Sequence, residues 1–199
     1  MNHTSRMLKL PLNHPRRNLP VAISRKRGES NFVAVFADAY IRSISSHGVG
    51  GREFALSGFG VADFVWLAWT PLDGNSEGSA LSLKRFKADR LNYRLTAFEM
   101  KLTDWRKGLA QAYRYSYFAD LSVVVLPPDT ARLAIAELAL FRQLRVGLWS
   151  FDKKRAKIRK LFTPSESKPR NLQVKEKALE LLGHFLKFGK LSKELQPIS

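Results

Sequence analysis

Apolar residues recur along this chain with two different periods. Helical spacing appears first: Phe32, Val33, Val35, Phe36, Ala39 and Tyr40 line one face from Ser30, a good N-cap, to about Ile44. The glycine-rich stretch His47-Gly48-Val49-Gly50-Gly51 then predicts a loop. A short strand is expected at 52–56, a turn at 57–60 and a strongly apolar strand at 61–69. A polar loop follows at 71–79, and 81–90 has weak helical spacing. Further along, the pattern predicts a strand at 94–102 and a helix from Asp104 to about Ala119. A buried strand at 121–126 stops at Pro127-Pro128. Thr130 is positioned to cap a helix to about Leu144, and 146–151 reads as the last strand.

The predicted order is α-β-β, an insertion, then β-α-β-α-β. That order implies an α/β protein with a mixed central β-sheet flanked by helices. Residues 1–29, with Pro11, Pro15 and Pro20 among arginines and lysines, read as a basic N-terminal arm. Residues 30–151 form the expected core. Residues 152–199 read as a basic linker through 170 followed by a C-terminal amphipathic helix. That helix, at 172–188, carries Leu172, Val174, Ala178, Leu181, Leu182, Phe185 and Leu186 on one side. It is a candidate docking element for a second copy or a partner protein.

Charge sharpens this division. The chain has 199 residues, with 34 Lys and Arg against 17 Asp and Glu, a net charge of +17. Residues 31–150 are nearly balanced, with 14 basic and 11 acidic side chains. The excess therefore lies in the flanks, including the run Lys153, Lys154, Arg155, Lys157, Arg159 and Lys160. Such flanks point to a polyanionic partner, nucleic acid first, bound through phosphates in a salt-sensitive way. The competing expectation is a solvated tail that aids solubility. An apolar fraction of 45% suits a globular core, and the absence of cysteine excludes disulfides and thiolate zinc sites. No run approaches the apolar length of a membrane span, and the basic N-terminus lacks the apolar core of a secretion signal. A cytoplasmic protein without membrane contact is expected.

Within the balanced core, two predicted strands carry charges where burial would make them costly. Asp63 lies in Val61-Ala62-Asp63-Phe64-Val65-Trp66, and Glu99 and Lys101 lie in Ala97-Phe98-Glu99-Met100-Lys101-Leu102. Alternation along a strand places Glu99 and Lys101 on one face and Met100 on the other. If the Asp63 strand is a neighbour, three charged groups converge. Such a set suits metal-assisted phosphodiester hydrolysis. Asp63, Glu99 and the Met100 carbonyl would supply hard oxygen ligands for Mg²⁺ or Mn²⁺. The metal would acidify water and offset phosphate charge, and Lys101 would orient or deprotonate the attacking water. An ordinary surface Glu–Lys pair is the competing explanation.

The segment that follows, Leu102 to Tyr115, contains Gln111-Ala112-Tyr113-Arg114-Tyr115 on the predicted helix. With Asp63 and Glu99-Met100-Lys101 before it, the chain resembles the PD-(D/E)XK nuclease superfamily over roughly residues 30–126. The resemblance implies a restriction-endonuclease-like α-β-β-β-α-β core and a Mg²⁺-dependent endonuclease-type hydrolase acting on DNA. It implies metal binding by Asp63 and Glu99, a catalytic Lys101, and a Gln-x-x-x-Tyr element that places Gln111 in the site and Tyr115 on the nucleic acid. Ala62 stands where the signature often has Pro. The 36 residues from Asp63 to Glu99 require an insertion. Its Lys84, Arg85, Lys87 and Arg90 suit a substrate-gripping flap, or merely a decorated hairpin. Glu53 is the candidate additional acid, ahead of Asp38. The alternative is a catalytically silent nucleic-acid-binding or assembly protein of a mobile-element or defence complex that retains the fold.

Overall fold

In a computed structural model, residues 9–12, 27–44, 47–71 and 91–188 are described. They form seven strands and five helices: β1 (Lys9–Leu12), α1 (Arg27–Ser43), β2 (His47–Leu56), β3 (Gly60–Pro71), β4 (Leu91–Met100), α2 (Trp105–Tyr115), β5 (Leu121–Leu126), α3 (Pro128–Ile135), α4 (Leu138–Leu144), β6 (Gly147–Asp152), β7 (Lys157–Phe162) and α5 (Leu172–Phe188). The strands lie in one sheet in chain order. β2, β3 and β4 form an antiparallel meander, and β4, β5 and β6 run parallel. β1 adds parallel to β2, and β7 adds antiparallel to β6. The α/β class with a mixed sheet is therefore observed.

Alternation along the strands builds two cores. Phe64, Trp66, Phe98, Met100, Val123 and Trp149 meet Phe32, Phe36 and Tyr40 of α1 on one face. Val65, Leu67, Leu95, Ala97 and Val124 meet Trp105, Leu109 and Ala112 of α2 on the other, along with Ala134, Phe141, Ala178 and Leu182 from α3, α4 and α5. The central strand β5 is buried on both faces, as its unbroken apolar sequence requires.

Several local expectations give way. The glycines at 48–51 form the first half of β2, not a loop. The Trp66 ring lies over them, and a Cβ at Gly48 or Gly50 would come within 2.2 or 2.7 Å of it. Glycine here admits a flat aromatic ring, a reason invisible to local turn statistics. α1 begins at Arg27, so Ser30 lies inside it. Asp104 does cap α2, accepting from the Lys107 amide at 3.0 Å. Thr130 does not cap: it lies inside α3, and its hydroxyl donates to the Leu102 carbonyl at 2.6 Å. The helix expected through Leu144 is split into α3 and α4.

The flanks also hold more structure than their polar composition suggests. β1 lies within the presumed arm, with Pro11 tolerated on an edge strand. The presumed linker contains β7, and the residues after it are fastened to the connection between α2 and β5. The amides of Ser167, Arg170 and Asn171 donate to Asp120, Ser116 and Tyr117 carbonyls. Lys175 of α5 donates to both Asp120 carboxylate oxygens, at 2.7 and 2.9 Å. The insertion at 72–90, with Lys84, Arg85, Lys87 and Arg90, lies outside the described residues.

Candidate functional site

The β3–β4 ladder runs from Pro71/Leu91 to Phe64/Phe98 and stops there. One residue further, continuation of that register sets Asp63 opposite Glu99. β4 stays with β5, where Glu99 pairs with Val124 and Met100 with Val125. At this fork the Asp63 carboxylate accepts the Met100 amide through Oδ2 at 2.6 Å. Asp63 and Glu99 are 2% and 1% exposed, a burial that two carboxylates tolerate only with strong polar partners.

Glu99 has such partners on both oxygens. Lys101 Nζ donates to Oε1 at 2.5 Å, and the Tyr115 hydroxyl donates to Oε2 at 2.5 Å. The same hydroxyl also lies 2.8 Å from the Val61 carbonyl. Tyr115 therefore ties α2 both to Glu99 and to the start of β3. Desolvation, and then the neighbouring charge of Glu99, raise its pKa far above that of a free tyrosine, so its proton stays in place. Tyr115, expected on the nucleic acid, is 1% exposed, and its hydroxyl is turned inward onto Glu99.

Lys101 keeps 16% of its side chain exposed, so its ammonium stands at the mouth of this buried group. Gly108 of α2 lies against its stem, where an added Cβ would be 3.0 Å from Lys101 Cγ and 3.3 Å from Val124 Cγ1. This contact was not singled out from the sequence, although a glycine inside an amphipathic helix is a signal for it. Met100 turns its side chain into the α1-side core, as alternation requires, leaving its backbone between the two charged side chains. Gln111 is partly buried on α2, and its Oε1 is enclosed without a hydrogen-bond partner.

Glu53 also falls into this row. Arg52 pairs with Phe64 and Phe54 with Ala62, which leaves Glu53 opposite Asp63 but outside the ladder. Its φ of 55° is left-handed, an uncommon state for a non-glycine residue. Glu53, Asp63 and Glu99 thus occupy successive strands at one level of the sheet. Asp38 is exposed on α1. That helix covers the opposite face of the sheet from α2, so Asp38 does not join them.

Among the described residues, no group of three or more His, Cys, Asp or Glu side chains is close enough to form a ready metal cage. The fit to a hard divalent cation rests instead on donor chemistry. Two carboxylates lie opposite each other across a fork, beside a backbone carbonyl, a set of hard oxygen donors of the kind that divalent cations such as Mg²⁺ take. No helix among the described residues is long and apolar enough to cross a membrane. Comparisons with protein-family models, curated proteins and solved structures found no match to this chain. The described residues form an α/β protein with a buried acid–lysine cluster where β3 and β4 part.

Proposed function

We propose that this protein is a metal-dependent nuclease of restriction-endonuclease-like design that hydrolyses phosphodiester bonds in DNA. The observation that carries the proposal is the convergence of Asp63, Glu99 and Lys101 where β3 and β4 part, beside α2. The α1-β2-β3-β4-α2-β5 order agrees with it. Asp63, Glu99 and the Met100 carbonyl would hold Mg²⁺ or Mn²⁺, which supplies Lewis-acid stabilisation of charge on the phosphoryl group. Tyr115 holds the Glu99 carboxylate in one orientation. Lys101, partly exposed, orients the attacking water and counters charge building on the phosphate. Gln111 offers an unsatisfied amide oxygen from the helix lining the site.

The test is incubation of the protein with DNA and Mg²⁺ or Mn²⁺ beside Glu99→Ala and Lys101→Ala. Metal-dependent cleavage that disappears in both variants supports the proposal; equal cleavage in all three marks a contaminant and defeats it. One observation favours the second reading, a silent binding or assembly protein. Both Glu99 oxygens are already engaged, by Lys101 and Tyr115. DNA binding with no cleavage under any divalent metal would select that reading.

A further inference from the structure

The basic run after β6 is sorted by the fold. β7 alternates, so Lys157, Arg159 and Leu161 point to the α3 side, while Lys160 turns to the other face and stacks on Trp149 at 4.8 Å. Between α3 and the β6–β7 hairpin lies a cleft of about 450 Å³. Its walls carry Arg132 from α3 and Arg155, Lys157 and Arg159 from the hairpin, over an apolar floor that includes Ile135 and Leu161.

The charges in this cleft are unequally engaged. Arg132 pairs with Asp129, and Arg155 Nε lies 3.9 Å from Asp152. Asp152 is the one acidic residue of the lining, and its Oδ1 accepts the turn amides of Lys154 and Arg155 at 3.0 and 3.2 Å. Lys157 and Arg159 have no carboxylate partner among the described residues. Two cations two residues apart on a rigid strand, above a partly apolar wall, suit consecutive phosphates whose sugars face the floor.

The cleft is also coupled to the candidate site. Thr130 anchors the start of α3 on the Leu102 carbonyl, adjacent to Lys101. Lys101 lies at the ends of the parallel strands β4, β5 and β6, and Arg159 pairs with Ser150 of β6. Three strand spacings separate Lys101 from Arg159, about 14 Å.

We propose that the cleft between α3 and the β6–β7 hairpin is a backbone subsite, in which Lys157 and Arg159 grip phosphates of the nucleic-acid strand that passes the Glu99–Lys101 cluster. The inference rests on the nucleic-acid reading of that cluster, but not on cleavage. The experiment measures anisotropy of a labelled DNA oligonucleotide in EDTA across a salt series. It compares the intact protein, Lys157→Ala/Arg159→Ala, and Lys168→Ala/Lys177→Ala, a pair of exposed charges elsewhere.

The subsite variant is expected to weaken binding by about 10-fold and to lower the salt slope by about 2, while the control pair changes affinity less than about 2-fold. Equal losses in the two variants would overturn the subsite in favour of diffuse attraction. Competition by inorganic phosphate or a mononucleotide at concentrations near the oligonucleotide's own affinity would also overturn it, by assigning the cleft to a small anion. Because EDTA excludes metal-dependent turnover, a selective loss supports the subsite even where the protein cuts nothing.

Discussion

Asp63 Oδ2 accepts the backbone amide of Met100 at 2.6 Å, at the point where β3 and β4 cease to pair. One carboxylate oxygen thus closes the end of a sheet ladder in the group proposed to hold the metal. The two roles separate by substitution. Asp63→Asn keeps an acceptor for Met100 and is expected to unfold within about 1 kcal/mol of the parent. Asp63→Ala leaves a buried amide unpaired and is expected to lose about 1 to 3 kcal/mol. Both should abolish metal-dependent cleavage. Urea unfolding set beside a cleavage assay checks this, and an active Asp63→Asn protein would remove Asp63 from the metal ligands.

Tyr115 supplies the second hold on the site. Tyr115→Phe keeps the ring in the core but removes the donor to Glu99, and should cost about 1.5 to 3 kcal/mol, the range for a hydrogen bond to a charged group. Cleavage should then require more Mg²⁺ for half-maximal rate, because the carboxylate is no longer fixed. Metal titration of the rate distinguishes this from a general loss of folded protein.

Gly108 sets the distance between α2 and Lys101. Gly108→Ala should gain up to about 1 kcal/mol of helix propensity and give some of it back by pressing on the lysine stem. The melting temperature is therefore expected to move little, while the rate falls about 10-fold as Lys101 is displaced. Retained rate with unchanged stability would show that the helix absorbs the methyl group elsewhere.

Alkaline pH should weaken the fold through Tyr40. Burial raises its pKa to about 12, against lowering by Arg94 and a hydrogen bond from Thr96. A raised pKa means that the native state holds the proton more tightly than the unfolded chain. The contribution is therefore full below pH 10 and is lost as pH rises from 10 to about 12. Tyr40's share of the fall in unfolding free energy over that window should be about 2 to 3 kcal/mol; Tyr115, whose pKa is also raised, adds its own loss, so Tyr40→Phe should reduce the fall without abolishing it.

The Asp120–Lys175 pair predicts how α5 is held. The two side chains are 13% and 10% exposed, and Asp120 Oδ2 also accepts the Leu95 amide at 2.8 Å. Lys175→Ala should cost about 3 kcal/mol by leaving a nearly buried carboxylate without its cation, whereas loss of the exposed Glu176 should cost little. Denaturant unfolding of the two variants is the check.

Much of this structure is encoded in local pattern. Helix periodicity around Phe32 and Phe36, the Asp104 cap and the two-residue alternation through Glu99, Met100 and Lys101 are properties of neighbouring residues. They determine which elements form and which face each side chain takes. Tertiary pairing decided the rest. Gly48 and Gly50 became strand residues because Trp66, from the next strand, needed their bare backbone. β7 formed inside a charged stretch because β6 offered an open edge. Tyr115 left the surface because α2 settles where its hydroxyl reaches Glu99, and Glu53 reached Asp63 only through the register of β2 against β3. A sequence specifies which face a residue takes, since that depends on a few successive dihedral angles. It does not locally specify what lies across the sheet, because that follows from contacts between residues far apart in the chain.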